Sequence, residues 1–224
     1  MIIAIDGPAG SGKSTIAKLL AKKLNTEYID SGAIYRTITL FGIQTFAEGC
    51  EGNESRIFEL LKDNPETIKI SYEDHTQIMW LNNENVSQKI RDPKVTVQVK
   101  YIADHQNCRE LVNQSIRKTA EKYSVVIDGR DIGTIVFPKT PYKFYLDAKP
   151  VIRAERRAKE YSIPLDSPGF EQLVKSINTR DKEDKERKIA PLRKASDALL
   201  IDTSGLDIEG VLKEILPHIQ PLKS

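Results

Sequence analysis

Ile2-Ile3-Ala4-Ile5-Asp6-Gly7-Pro8-Ala9-Gly10-Ser11-Gly12-Lys13-Ser14-Thr15 is the stretch whose reading decides the fold. Its first residues are the short apolar run of a strand buried on both faces, ending at Asp6. Beyond Lys13, Ile16, Leu20 and Leu24 recur at helical spacing with Lys18 and Lys22 outside, which predicts a helix over residues 13–24. Between strand and helix, Gly7 to Ser14 completes the pattern G-x-x-x-x-G-K-[ST]. The glycines let backbone N–H groups curl around phosphate oxygens without Cβ clashes, and the helix N-terminus adds the positive end of its dipole. Lys13 is placed to reach the β- and γ-phosphates, and the Ser14 hydroxyl suits Mg²⁺. This stretch therefore predicts a nucleoside triphosphate with Mg²⁺ as ligand. The loop alone serves motors, switches and kinases alike.

Working outward, four more apolar runs end in an aspartate: residues 27–30, 125–128, 142–147 and 198–202. Helical patterns separate them, so together with the first run they predict a five-stranded parallel sheet flanked by helices, an open α/β fold whose ligands sit at the carboxyl ends of its strands. Helices are expected over residues 33–46 and 55–62, and from Asp92-Pro93 to Tyr123 with a break near 104–107. Residues 67–86 change to β-type alternation, Ile68, Ile70 and Tyr72 and then Ile78 and Trp80, which predicts a small antiparallel sheet inserted into the main fold.

The bulk properties fit one globular domain with insertions. The 224 residues carry 34 Lys plus Arg against 32 Asp plus Glu, net +2, with 29% charged and 39% hydrophobic residues, which argues against disorder and a polybasic nucleic-acid binder. The basic excess is local, because residues 151–194 hold 12 basic and 8 acidic side chains. Cys50 and Cys108 have no CxxC spacing, and the three histidines lack ligand spacing, so neither a disulfide framework nor a zinc site is expected. No apolar stretch approaches the ~18 residues of a membrane span and the first five residues are too short for a signal peptide, so the expected protein is cytoplasmic and monomeric, with no membrane or nucleic-acid partner.

Three further segments narrow the chemistry. Asp30-Ser31-Gly32-Ala33-Ile34-Tyr35-Arg36 follows the second strand and opens a helix, with Ser31 near its N-cap. A hydroxyl, a helix N-terminus and Arg36 make a second anion site, and the rival reading is a plain cap with a surface arginine. Asp128-Gly129-Arg130-Asp131 puts two aspartates and an arginine at a strand's carboxyl end, where Asp128 suits magnesium's water shell, Arg130 a phosphate and Asp131 a polar group of an acceptor. Arg153, Arg156 and Arg157 share one helix face by spacing, as Arg180, Asp184 and Arg187 share another. Such runs are commonly solvated faces, but beside a phosphate loop arginines neutralise transition-state charge.

These motifs carry a resemblance. GPAGSGKST (7–15), DSGAIYR (30–36), DGRDIGT (128–134) with the following VFP, and the R-D-x-x-D-x-x-R stretch running to Ala190-Pro191-Leu192 resemble bacterial cytidylate kinases over nearly the whole chain. The resemblance implies the P-loop nucleoside monophosphate kinase fold, with a nucleotide-binding insert at 63–100 and a helical lid at 151–188. It implies phosphorylation of CMP and dCMP by ATP with Mg²⁺. ATP would be held by Gly7, Pro8, Ala9, Gly10, Ser11, Gly12, Lys13, Ser14, Thr15 and Arg157, with Ser14 and Asp128 toward the metal. Lys13, Arg130, Arg153 and Arg156 would serve catalysis. Ser31, Arg36 and Arg130 would hold the CMP phosphate, Arg109, Asp131 and Arg187 would face the cytosine, Arg180 with Asp184 the ribose, and Tyr35 would also bind CMP. Where the family has a serine near the base, about nine residues before Arg109, this chain reads Val99-Lys100-Tyr101, and no role carries over. Rivals from the residues alone are a kinase for another small acceptor, such as a different nucleoside monophosphate or shikimate, and a P-loop switch or nucleic-acid ATPase.

Overall fold

The computed structural model describes residues 1–220, which divide into two compact units, residues 1–20 with those from 126 onward, and residues 21–125. In the first, β1 (Ile2–Asp6) runs into the phosphate loop and α1 (Lys13–Leu24). After the second unit the chain returns as β6 (Val125–Gly129), a single π-turn at Ile132–Val136, and β7 (Tyr142–Asp147). Then come α6 (Pro150–Glu160), α7 (Pro168–Glu186), β8 (Leu199–Asp202) and α8 (Ile208–Ile215). The strand order here is β6-β1-β7-β8, with β1 parallel to β7 and β7 parallel to β8. Ile3, Ile5, Val125 and Ile127 are fully buried, as apolar runs covered on both faces must be.

The second unit holds β2 (Glu27–Asp30), α2 (Ser31–Thr45), α3 (Glu54–Asp63), β3 (Ile68–Glu73), β4 (Thr76–Leu81), β5 (Glu84–Asn85), α4 (Pro93–Ala103) and α5 (Gln106–Lys122). All five expected parallel-type strands form, and the expected break separates α4 from α5 where Asp104 and His105 interrupt the ladder. The inserted sheet differs from expectation in one respect. β3, β4 and β5 pair antiparallel, but β4 also pairs parallel to β2, so the hairpin extends a main strand and is no separate sheet. The bond from Tyr28 N–H to the His75 carbonyl and that from Asp30 N–H to Gln77 Oε1 make the join, donors that strand alternation cannot reveal. Helix α2 starts at Ser31, two residues earlier than its hydrophobic pattern indicates. The cause is Asp30, whose carboxylate accepts from Ala33 N–H at 2.9 Å and so is the N-cap, with Ser31 beside it as the first helical residue. Cys50 and Cys108 are buried free thiols, each pushed up to about 12 chiefly by burial, hence unreactive. Among the described residues no helix is long and apolar enough to cross a membrane.

Candidate active site

The phosphate loop is shaped by what glycine permits. A Cβ on Gly7 would lie 2.1 Å from the Leu146 carbonyl oxygen, so β7 presses on the loop where only glycine fits. Gly12 has φ +87° and would place its Cβ 3.8 Å from Arg156 Nη1, which puts that guanidinium over the loop. Lys13 is buried, its Nζ 3.4 Å from the Pro8 carbonyl and 4.0 Å from Asp128 Oδ2. Ser14 Oγ donates to the same Asp128 oxygen at 2.7 Å. Strands β1 and β6 thus bring a lysine, a hydroxyl and a carboxylate from far apart in sequence to one point. Ser11 Oγ, on the same loop, is fully buried with no hydrogen-bond partner in the protein, a gap of the kind a ligand oxygen completes.

Around the end of β6, four of the expected residues form one ionic cluster. Arg130 Nε donates to Asp184 Oδ2 at 2.7 Å, Arg187 Nη1 stands 3.7 Å from Asp184 Oδ1, and Arg187 Nη2 stands 4.0 Å from Asp131 Oδ1. Burial alone would raise the Asp184 carboxyl, but the charge and hydrogen bond of Arg130, with Arg180 and Arg187 behind, hold it below the usual carboxylate range.

The arginines of α6 do not act as the single face their spacing predicts. Arg153 is buried and its fork is spent on protein: Nε on the Ala148 carbonyl, Nη1 on the Ala9 carbonyl and Asp181 Oδ1, Nη2 on Asp181 Oδ2 at 2.5 Å. These bonds tie the phosphate loop to α7 through the carboxylate of Asp181. Arg156 donates to Thr203 Oγ1 at 3.0 Å and to the Thr203 carbonyl, while Thr203 Oγ1 lies 3.1 Å from both the Ser11 and Asp147 carbonyls. Arg157 turns outward to Glu160 at 2.6 Å. Thr203 and Asp181 went unread in the sequence. A lone threonine after a strand carries no signal, and Asp181 was lost in a run of mixed charge.

In the second unit, Asp30, Ser31 and Arg36 gather at the first turn of α2, where a Cβ on Gly32 would lie 3.2 Å from Arg36 Nη1. Arg91, which sequence reading overlooked, pairs with Asp30 Oδ2 at 2.5 Å. Burial would raise Asp30, but Arg91 and Arg36 hold it low. Arg109 lies buried with Nη1 on the Ala103 carbonyl at 2.9 Å and its guanidinium 5.4 Å above the Tyr35 ring.

Asp6, which sequence reading treated as the end of a strand, stands out electrostatically. Burial pushes its carboxyl up to about 6, more than the amide hydrogen bonds from Gly133 and Ile132 lower it. A folded-state value above the unfolded one favours the fold while the proton is on, so this contribution is present below pH 3.8 and lost as pH rises through about 6. The unfolding free energy of the wild type, relative to Asp6→Asn, is expected to increase by about 2 to 3 kcal/mol from pH 7 to pH 4. Urea melts of both proteins at the two pH values check this, and a difference that stays constant sinks it. Asp30 and Asp184 work in the opposite sense, stabilising at neutral pH and losing that contribution as pH falls through their lowered values.

A complete phosphate loop between the first strand and first helix of a parallel-stranded α/β fold, with a buried lysine and a Ser–Asp oxygen pair, defines a P-loop nucleotide-binding protein. The profile of the family described as cytidylate kinase matches residues 3–221, and the chain belongs to that family. Proteins named cytidylate kinase from Bacillus thuringiensis (strain Al Hakam) and Bacillus cereus (strain AH187) are each 44% identical over 216 residues, covering 96% of this chain and 93% of theirs. The solved structure of an uncharacterized protein from Eubacterium ventriosum ATCC 27560 covers 97% of each chain with TM-score 0.52 at 16% identity, a likeness of fold alone. The protein is accordingly a kinase, with ATP as the family's phosphoryl donor.

Proposed function

We propose that the protein transfers the γ-phosphoryl group of ATP, bound with Mg²⁺, directly and in line to a phosphate oxygen of CMP or dCMP, as a cytoplasmic step of pyrimidine nucleotide metabolism. The observation that carries this reading is the Arg130–Asp184–Arg187–Asp131 cluster, where the segment following β6 meets the end of α7. Arg130 suits the phosphate of an acceptor and Asp131 an amino group, a pairing that favours an amino-bearing monophosphate over a hydroxyl acceptor such as shikimate, which carries no amino group. The acceptor phosphate is already anionic, its second pKa being about 6, so no protein base is required.

Positioning and charge then make up most of the catalysis. Lys13 and the loop amides hold the donor phosphates. The hard oxygens of Ser14 and Asp128 fit Mg²⁺, which when bound draws charge from the β- and γ-phosphate oxygens. Arg156, docked over Gly12, adds positive charge near the transferring group. The family motifs support Ser31, Arg36 and Arg130 for the CMP phosphate, Arg109, Asp131 and Arg187 for the base, Arg180 with Asp184 for the ribose, and Tyr35 as a further CMP-binding residue. In the same reading residues 63–100 are the nucleotide-binding insert and 151–188 the lid.

ADP release with ATP, Mg²⁺ and each of CMP, dCMP, UMP, AMP and GMP tests the function: CMP and dCMP should be turned over best. Equal turnover of all five, or ADP release without any of them, would defeat it. A narrower outcome concerns Arg156. Thr203→Val removes the hydroxyl that seats it, and kcat/KM for ATP should fall about 5- to 10-fold, as for one lost hydrogen bond, while Thr203→Ser stays near wild type. If Val and Ser variants behave alike, Arg156 does not depend on that seat.

A further inference from the structure

Asp6 is the last residue of β1 and immediately precedes Gly7, the first residue of the phosphate loop. Its carboxylate is committed to the segment that follows β6. Oδ1 accepts from Ile132 N–H at 2.9 Å and Oδ2 from Gly133 N–H at 2.7 Å. The approach depends on Gly133, because a Cβ there would lie 3.3 Å from Asp6 Oδ2 and 3.2 Å from the Lys143 stem.

The same two amides adjoin Asp131, whose own carbonyl accepts from Ile135 N–H at 2.9 Å and Val136 N–H at 3.2 Å to close the π-turn. The Asp131–Ile132 peptide is therefore held at both its polar groups, the carbonyl by the turn and the N–H by Asp6. Burying a carboxylate is costly, and an apolar contact would tie a strand to a turn at less expense. What a charged acceptor adds is direction. Two short amide bonds fix the orientation of the peptide planes after Asp131 and Ile132, and with it the direction in which the Asp131 side chain leaves the backbone beside Arg130.

We propose that Asp6 is a positioning residue that sets Asp131, and through it the adjoining Arg130, in register with the phosphate loop. This inference rests on the reading of those two side chains as acceptor-binding groups. One carboxylate then ties the strand that delivers the donor to the segment that reads the acceptor, and its loss should be felt on the acceptor side.

The experiment varies ATP and CMP separately for wild type, Asp6→Asn and Asp6→Ala, and follows amide hydrogen exchange across residues 131–136. Asn keeps the shape and one carbonyl oxygen, so it holds one amide of the two. KM for CMP should rise about 10-fold in Asp6→Asn and further in Asp6→Ala, with KM for ATP changed by less than about 2-fold. Exchange at Ile132 and Gly133 should quicken. Gly133→Ala crowds the carboxylate without removing its charge, and it should raise KM for CMP in the same selective way even if Asp6→Ala fails to fold. Activity that falls only in step with Tm, with both KM values unchanged, would reduce Asp6 to a structural brace and overturn the proposal. So would a rise in KM for ATP as large as that for CMP. If the wild type turns over some other monophosphate and not CMP, the assigned acceptor is wrong, and the same comparison made with that monophosphate still decides the role of Asp6. Unchanged exchange at Ile132 and Gly133 in Asp6→Asn refutes the grip itself.

Discussion

Lys13→Ala is expected to lower kcat for phosphoryl transfer by at least about 10²- to 10³-fold, the scale of losing one preorganised charge donor from a water-excluded site. Lys13 is almost wholly buried, and its ammonium stands 3.4 Å from the Pro8 carbonyl and 4.0 Å from Asp128, beside a loop of glycines. Removing it leaves Asp128 still accepting from Ser14 at 2.7 Å, so the local frame keeps a partner. The fold should survive, and the measurement is single-turnover transfer from labelled ATP alongside circular dichroism and Tm. Lys13→Arg should restore little, because a planar fork does not replace a compact ammonium in a glycine-walled space. Near-normal turnover in a folded Ala variant would show that the loop does not hold the reacting phosphates.

Asp131→Asn should shrink the preference for CMP over UMP by about 5- to 150-fold in kcat/KM, the worth of one base-edge contact. Cytosine presents an N4 amino donor where uracil presents the O4 acceptor, so an ionised carboxylate attracts one and repels the other. Asparagine keeps the shape but can turn its own NH₂ toward O4. The geometry offers a rival, since Asp131 lies 4.0 Å from Arg187 and next to Arg130 in sequence, and it could serve only to orient those arginines. In that case both nucleotides would lose activity equally and the ratio would hold. An unchanged ratio in a folded variant therefore removes Asp131 from the base pocket, whereas a loss confined to kcat for both moves it toward the phosphates.

The phosphate loop, the five strand cores and helix α1 were legible in the sequence because their signals are local: an apolar run, glycines at fixed offsets, a 3.6-residue repeat. The family motifs likewise sit in short contiguous blocks, so Arg130, Asp131, Asp184 and Arg187 could be named before their cluster was seen. What each charged side chain does was not legible. Arg153, Arg156 and Arg157 have one spacing and three fates, set by Asp181, Thr203 and Glu160, two of which lie more than 20 residues away. Asp30 caps α2, and its carboxylate also pairs with Arg91, 61 residues on, a partner that no local pattern indicates. Asp6 reads as a strand end in sequence, and only the packing of β6 beside β1 delivers the two amides its oxygens accept. Periodicity records which residues leave water. The partner of a buried charge is chosen by proximity in three dimensions, since a desolvated carboxylate or guanidinium must find its hydrogen bonds wherever the fold supplies them.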